Sequence, residues 1–332
     1  MSTQSATDSV RALYERYPYP SGDTESGLIY DTALAVDYLV EETEQLAVLD
    51  AGCGTGHRLI GMASRHPSWH FTGLDLSSSS LRTARELAIK YDCQNVSFVH
   101  GSIGNADLHD EYDLITTTGV LHHLPDPRAG AAWLAAHLSA EGVLYCWLYH
   151  RYGEFGRLLD RGIYQLLVNV AEDDEVEQLM ATLELQLPGD TYGTRASHVG
   201  ASDTTTQAAL QDAFAHPIVN AYTVEEGADL FKGHVAWSSI FSINWRGESR
   251  MVDLSNLSEN RYGFLQLSDL FESRSARRIV SRLPAGDLVR CLELRLRPTG
   301  FSIVCGGDPA RRAKLRYNRF VLVNVDKVNL IG

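Results

Sequence analysis

The string Val48-Leu49-Asp50-Ala51-Gly52-Cys53-Gly54-Thr55-Gly56 constrains this chain more than any other feature. Its first three residues, with Ala47 before them, read as a buried strand. Glycines at a strand-to-helix turn let the backbone come close to a ligand, and the helix behind such a turn offers free N–H groups. From Gln45 to His150 short apolar runs alternate with helical segments, the pattern of a parallel sheet with helices on its faces. The first helix is expected to stop at His66-Pro67, and Trp69 to Asp75 to form the second strand. Ser77 to Ser80 offer N-caps for a helix in which Leu81, Ala84, Leu87, Ala88 and Tyr91 recur at about 3.6 residues. Val96 to Val99 and Tyr112 to Thr117 are the third and fourth strands. Asp126-Pro127 opens a helix that Gly142 is expected to end, and Val143 to Leu148 is the fifth strand. Five strands joined by right-handed crossovers predict a doubly wound α/β sheet, with ligands at the carboxyl ends of its strands.

A glycine-rich turn alone also fits dinucleotide enzymes. The spacing here is G-x-G-x-G, not the G-x-G-x-x-G of the dinucleotide fingerprint. An acid, Asp50, lies two residues before the first glycine, where it suits a cationic ligand better than a pyrophosphate. Asp75 ends the second strand, placed to accept ribose hydroxyl protons; the plainer alternative is an acid that caps the next helix.

With Gly73-Leu74-Asp75-Leu76-Ser77, Tyr112-Asp113-Leu114-Ile115 and Gly119-Val120-Leu121-His122-His123-Leu124-Pro125-Asp126-Pro127 in order behind the turn, the chain closely resembles the class I S-adenosylmethionine (SAM)-dependent methyltransferases. Tyr14-Glu15-Arg16-Tyr17-Pro18-Tyr19-Pro20 resembles the N-terminal string of a subset, some members of which carry tetratricopeptide repeats. The resemblance implies a Rossmann-like, doubly wound seven-stranded sheet whose last strand, Phe301 to Cys305, is antiparallel, with Val235 to Trp245 as the sixth. It implies that SAM is the cofactor, with Asp50, Gly52, Cys53, Gly54 and Gly56 around its methionine part. Asp75 and Leu76 would hold the ribose and adenine, and Thr118 and Gly119 would line the cleft. Many relatives place an acid after the third strand; here Ser102 and Ile103 stand in that segment, and a serine hydroxyl accepts a hydrogen bond more weakly than a carboxylate.

Methyl transfer from a sulfonium is an in-line displacement that needs no covalent residue, though an acceptor can require a base. His122, His123 and His216 are the catalytic candidates; each can equally be a packed residue at a turn. Tyr14, Tyr17 and Tyr19 can form a lid over the cofactor or simply pack a docked helix, and Tyr222 precedes the Thr223 cap of a helix expected to run through Leu230.

The expected organisation is an N-terminal lid or helix over 1–30, a SAM-binding core over 31–150, a mainly helical insertion over the acceptor (151–217), completion of the sheet over 218–306 and a C-terminal extension (307–332). Within the insertion, 155–187 reads as mainly helical and 188–217 as a long loop. Segments 290–306 and 318–328 have further strand character. No apolar stretch approaches the roughly 18 to 20 residues of a membrane span and no signal peptide opens the chain, so a cytoplasmic protein without membrane attachment is expected. The five cysteines are scattered, without metal-ligand spacing, and no metal is expected. A formal charge of -13 disfavours broad capture of nucleic acid. Residues 261–320 nonetheless hold twelve arginines and one lysine against five acids. A small-molecule acceptor is the first expectation. An RNA or protein acceptor using the arginines is the second, and a SAM- or nucleotide-binding module without catalysis the third.

Overall fold

Val48 and Leu49 are both fully buried, as a strand covered on its two faces requires. They lie in β1 (Ala47–Ala51). The computed structural model describes residues 3–20, 45–108, 111–172 and 210–308, with Leu39, Glu175, Leu179 and Ala208. Parallel to β1 run β2 (His70–Asp75) on one side and β4 (Tyr112–Thr118) on the other. β3 (Val96–His100) extends the sheet beyond β2, and β5 (Leu138–Tyr149) beyond β4, again parallel. The chain leaves β1 toward β2 and later returns to β4 on β1's other side, so the carboxyl end of β1 is the topological switch point.

Beyond β5 come three antiparallel pairings, to β8 (Gly300–Gly306), then β6 (Trp237–Trp245), then β7 (Glu248–Met251). The order is β3-β2-β1-β4-β5-β8-β6-β7. The seven expected strands are present with the antiparallel strand inserted between the fifth and sixth. The eighth is a hairpin addition: Arg246 and Gly247 both adopt positive φ, as a two-residue hairpin turn of this hand needs. The four residues of β7 are too short and too charged to signal a strand in sequence.

Helices α2 (His57–Arg65), α3 (Ser78–Lys90) and α4 (Pro127–Ala136) cover the parallel half. Ser77 caps α3 by accepting from the Ser80 N–H, and Asp126 caps α4 by accepting from the Ala129 N–H. Helix α4 ends at His137, not at Gly142. Gly142 sits inside β5, where a Cβ would lie 2.9 Å from the Tyr112 carbonyl; lack of space, not helix termination, accounts for that glycine. After β5 follow α5 (Phe155–Val168), α6 (Val224–Asp229), opened by a Thr223–Glu226 capping box, α7 (Leu267–Leu270), α8 (Arg274–Val280) and α9 (Ala285–Leu296). The strand expected from residue 290 is therefore helical up to Leu296, because Leu288, Leu292 and Leu296 bury one helical face at four-residue spacing. The expected strand over 318–328 and most of the extension over 307–332 lie outside the described residues, as does much of the insertion between 173 and 209.

One core layer holds Leu49, Ile115, Leu144 and Ile303, the other Val48, Leu114, Val143 and Val304, so adjacent residues of each strand feed opposite faces. All five cysteines are free thiols. Among the described residues no helix is long and apolar enough to cross a membrane.

Candidate active site

The turn after β1 is built at close quarters. Gly52 has φ +81°, and a Cβ there would stand 2.4 Å from Val120 Cγ2, in the turn that follows β4. Its N–H and that of Cys53 donate to the Leu74 carbonyl at 2.7 and 3.0 Å, fixing the turn to β2. Only glycine supplies this backbone and this clearance together. Gly54 and Gly56 also hold positive φ.

Two carboxylates flank the turn. Asp50 pairs in register with Thr116 of β4, whose hydroxyl donates to Asp50 Oδ1 at 2.9 Å. Burial pushes the Asp50 carboxyl up to about 6, against the Thr116 bond and the nearby Arg58, which favour the charged form. Asp75 accepts the Gly54 N–H at Oδ2 and the Ser77 N–H at Oδ1, both at 2.8 Å. It thereby ties the glycine turn to the entrance of α3, whose N-cap is Ser77 and not Asp75 as the capping alternative had it. Each oxygen keeps a lone pair for a further donor. Burial raises this carboxyl also, outweighing the N–H bonds of Ser77, Gly54 and Leu76 and the nearby His100, which favour its charge.

Helix α1 (Thr3–Arg16) and the segment after it close over these turns. The Glu15 carboxylate accepts from the N–H groups of Ser78 and Ser79 at 2.6 and 3.2 Å, at the N-terminus of α3. Ser77 Oγ donates to the Tyr14 carbonyl at 3.2 Å, Thr55 Oγ1 to the Pro20 carbonyl at 2.6 Å, and the Thr55 N–H to the Tyr19 carbonyl at 3.3 Å. Although burial opposes its charge, Glu15 is held below the usual carboxylate range by these N–H bonds.

Beyond β4 the three candidate histidines come together, although His216 lies far along the chain from the other two. The His123 and His216 ring centroids are 3.8 Å apart, those of His122 and His123 4.2 Å, and His122 lies 4.0 Å from the Tyr149 ring. A single residue orients two of them. His123 Nδ1 is 2.7 Å from the Ile218 carbonyl, which can only accept, so Nδ1 carries the proton. The Ile218 N–H donates to His216 Nδ1 at 3.1 Å, so in that neutral ring the proton sits on Nε2. The two rings thus hold opposite tautomers: His123 keeps its lone pair on Nε2, and His216 presents an N–H. Burial lowers the pKa of all three rings, for His122 and His216 well below the ordinary value. Both nitrogens of His122 are buried without a partner, as are the hydroxyls of Thr117 and Thr118.

Tyr14 joins this cluster, its hydroxyl donating to Asp212 at 2.7 Å and its ring 5.6 Å from His216. Burial and Asp212 drive its pKa well up. Tyr19 is likewise raised by burial. Tyr17 lies apart from the histidines, with the Arg16 guanidinium 5.2 Å over its ring. Tyr222 also lies apart: its N–H donates to the Tyr149 carbonyl at 3.0 Å, and its ring packs on the core layer that contains Leu148. Leu76 gives its carbonyl to His100 Nε2 at 3.0 Å. The Ser102 carbonyl accepts from the N–H groups of Asn105 and Ala106, and Ile103 packs on the core. Gly119, at φ +78°, donates to the Trp147 carbonyl at 3.2 Å.

Sequence reasoning missed Arg157 and Glu154, a fully buried ion pair whose guanidinium stands 4.5 Å from the Tyr149 ring centroid. Nothing in one sequence distinguishes these charges from solvated ones on a helix. The arginine-rich segment forms a separate surface: Arg274, Arg278, Arg282 and Arg290 are exposed on and beside α8 and α9, and none has a carboxylate partner among the described residues.

Residues 49–144 match the model of a methyltransferase domain, over the elements that carry the glycine turn, both carboxylates and the histidine pair. The chain carries a class I SAM-dependent methyltransferase domain. SAM is the cofactor of this class. The chain is 32% identical over 199 residues to an uncharacterised protein of a Synechococcus strain, covering 56% of this chain and 43% of that one. It is 24% identical over 131 residues to a malonyl-(acyl-carrier protein) O-methyltransferase of Bacillus anthracis, covering 40% and 46%. The matched regions thus take up less than half the length of these curated relatives. PKMT2 of Rickettsia typhi, solved in complex with AdoHcy, superposes with a TM-score of 0.58 over 88% of this chain and 55% of that one, at 14% identity; the likeness is one of fold. The matched residues carry β1 to β4 and the first half of β5 in the eight-stranded mixed sheet.

Proposed function

We propose that this chain transfers the methyl group of SAM, by in-line displacement, to a small-molecule acceptor held beyond β4. The observation that carries the reading is the Asp75 bond to the Gly54 N–H, which joins a carboxylate suited to ribose hydroxyls to a turn suited to the methionine part of SAM. The residues present fit such a ligand: Asp75 retains lone pairs, and Thr118 keeps a buried hydroxyl without a partner. SAM supplies an electrophilic methyl group on a sulfonium. The chain's part is to orient the acceptor and exclude water, and α1 with the Tyr14–Asp212 bond supports both by closing over the cleft. Where the acceptor carries a proton, His123 Nε2 is oriented by Ile218 to receive it.

Calorimetric titration tests this reading: SAM and its demethylated product bind and NAD does not. Tight binding of NAD with none of SAM overturns it. Binding of SAM without label transfer to any acceptor in a cell extract would leave a non-catalytic module. A macromolecular acceptor is the second reading, favoured by the exposed arginines on and beside α8 and α9, and steep salt dependence of RNA binding would distinguish it.

Asp50 gives a pH dependence. Between the ordinary carboxyl range and about 6, the free folded protein holds a proton that the unfolded chain has released. Its contribution to stability therefore falls as pH rises through that window. The amine of SAM beside Asp50 favours the carboxylate, so binding near that pH releases protons. The heat of binding in two buffers of different ionisation enthalpy reads the sign, and net uptake contradicts the assignment.

A further inference from the structure

Helix α5 inverts the usual arrangement of a surface helix, in which apolar side chains face inward and charges face solvent. Leu159, Ile163 and Leu166 are exposed, while Arg157 is only 4% exposed. A buried guanidinium is costly unless its N–H groups find partners. Its Nε bonds to the Glu154 carboxylate and its Nη1 donates to the Ala213 carbonyl at 2.7 Å, but Nη2 is buried with none. His216, fully buried, presents an N–H at Nε2 in the same condition. Arg161, one turn along α5, holds the His216 carbonyl through Nη2, which brings the helix and the histidine loop together. Arg157 stands over the Tyr149 ring, itself 4.0 Å from His122.

We propose that Arg157 Nη2–H and His216 Nε2–H form a carboxylate-binding subsite, so that the acceptor is a carboxylic acid held as its anion. The inference rests on reading the region beyond β4 as the acceptor pocket of a methyltransferase. Unpartnered donors in a buried site call for an acceptor atom from outside, and an anionic oxygen makes the strongest such bond. The charges in the cluster favour a monoanion. Arg157 is already paired with Glu154, and Asp212 adds a second carboxylate to the cluster where it accepts from Tyr14, so the site offers N–H groups with too little surplus positive charge for a phosphate dianion. The flat edge of a guanidinium matches a planar carboxylate, and the Tyr149 and Trp147 rings, 5.4 Å apart, supply an apolar wall.

The test uses two pairs of probes matched in shape, benzoate with benzamide and acetate with acetamide, titrated into the whole protein alone and with the demethylated product of SAM. At least one acid is expected to bind about tenfold or more tighter than its amide. The double variant Glu154→Gln/Arg157→Met, which removes both members of the buried pair, is expected to abolish that preference. His216→Ala removes one donor and no buried charge, and is expected to reduce the preference severalfold; it stands as the second variant if the first does not fold. Equal binding of acid and amide, binding of neither acid, or full preference in a folded variant overturns the subsite. Affinity for the demethylated product separates the two readings. If the product fails to bind wild type while the acid preference remains, the methyltransferase reading fails and the subsite stands.

Discussion

Asp75→Ala is expected to weaken SAM binding by about a hundredfold or more, roughly 3 kcal/mol, as the loss of two hydrogen bonds from ribose hydroxyls to a charged acceptor implies. The side chain has two tasks, and the experiment separates them. Toward the protein, it accepts the Gly54 and Ser77 N–H groups, and losing these bonds lowers the stability of the ligand-free fold. Toward the ligand, it offers its remaining lone pairs, and losing those changes affinity alone. Asp75→Asn keeps one accepting oxygen and is expected to cost about tenfold. Calorimetry with SAM, beside thermal unfolding of the ligand-free variants, measures both. An alanine variant with wild-type affinity would show that Asp75 serves only the turn and the helix.

Arg157→Ala is expected to be the most destabilising single change, by about 3 to 5 kcal/mol, because it takes the guanidinium away from the fully buried Glu154 carboxylate. It also removes the donor to the Ala213 carbonyl that fastens α5 to the loop carrying His216. The unfolding midpoint should fall by about 10 °C. Glu154→Gln/Arg157→Met, with no charge left behind, should cost less than the single substitution. A single variant within about 1 kcal/mol of wild type in denaturant unfolding would mean that water reaches the pair.

The parallel half of the fold was legible because its strands carry short apolar runs, buried on both faces in β1 and β4, punctuated by glycine, serine or proline. Ser77, Asp126 and Thr223 all cap the helices expected of them. The errors had local causes. Gly142 carried two meanings, helix stop and tight strand packing, that one sequence cannot separate. The leucines of α9 also alternate with charges from Leu292 to Arg297, a period of two that imitates a strand. Within the candidate site, residues next to the glycine turn were readable because spacing ties them to a backbone shape. Arg157, Glu154 and the assembly of His216 onto His123 were not, since they depend on how α5 and the loop before Ile218 come to rest against β5. A lone histidine carries no mark of its tautomer; only the Ile218 peptide sets that.

The Glu15 carboxylate on the first N–H groups of α3 bears on which nucleotides the cleft admits. The amino end of a helix behind a strand-end acid is a natural seat for a phosphate. Here the chain has taken that seat with its own carboxylate, at 2.6 and 3.2 Å from two of the N–H groups. A nucleotide bearing a 2′-phosphate on its ribose would meet negative charge at that edge, whereas an unphosphorylated ribose meets none of this repulsion. Glu15 thereby serves as the counter-charge of the α3 amino end, and a ribose 2′-phosphate placed there is expected to be repelled.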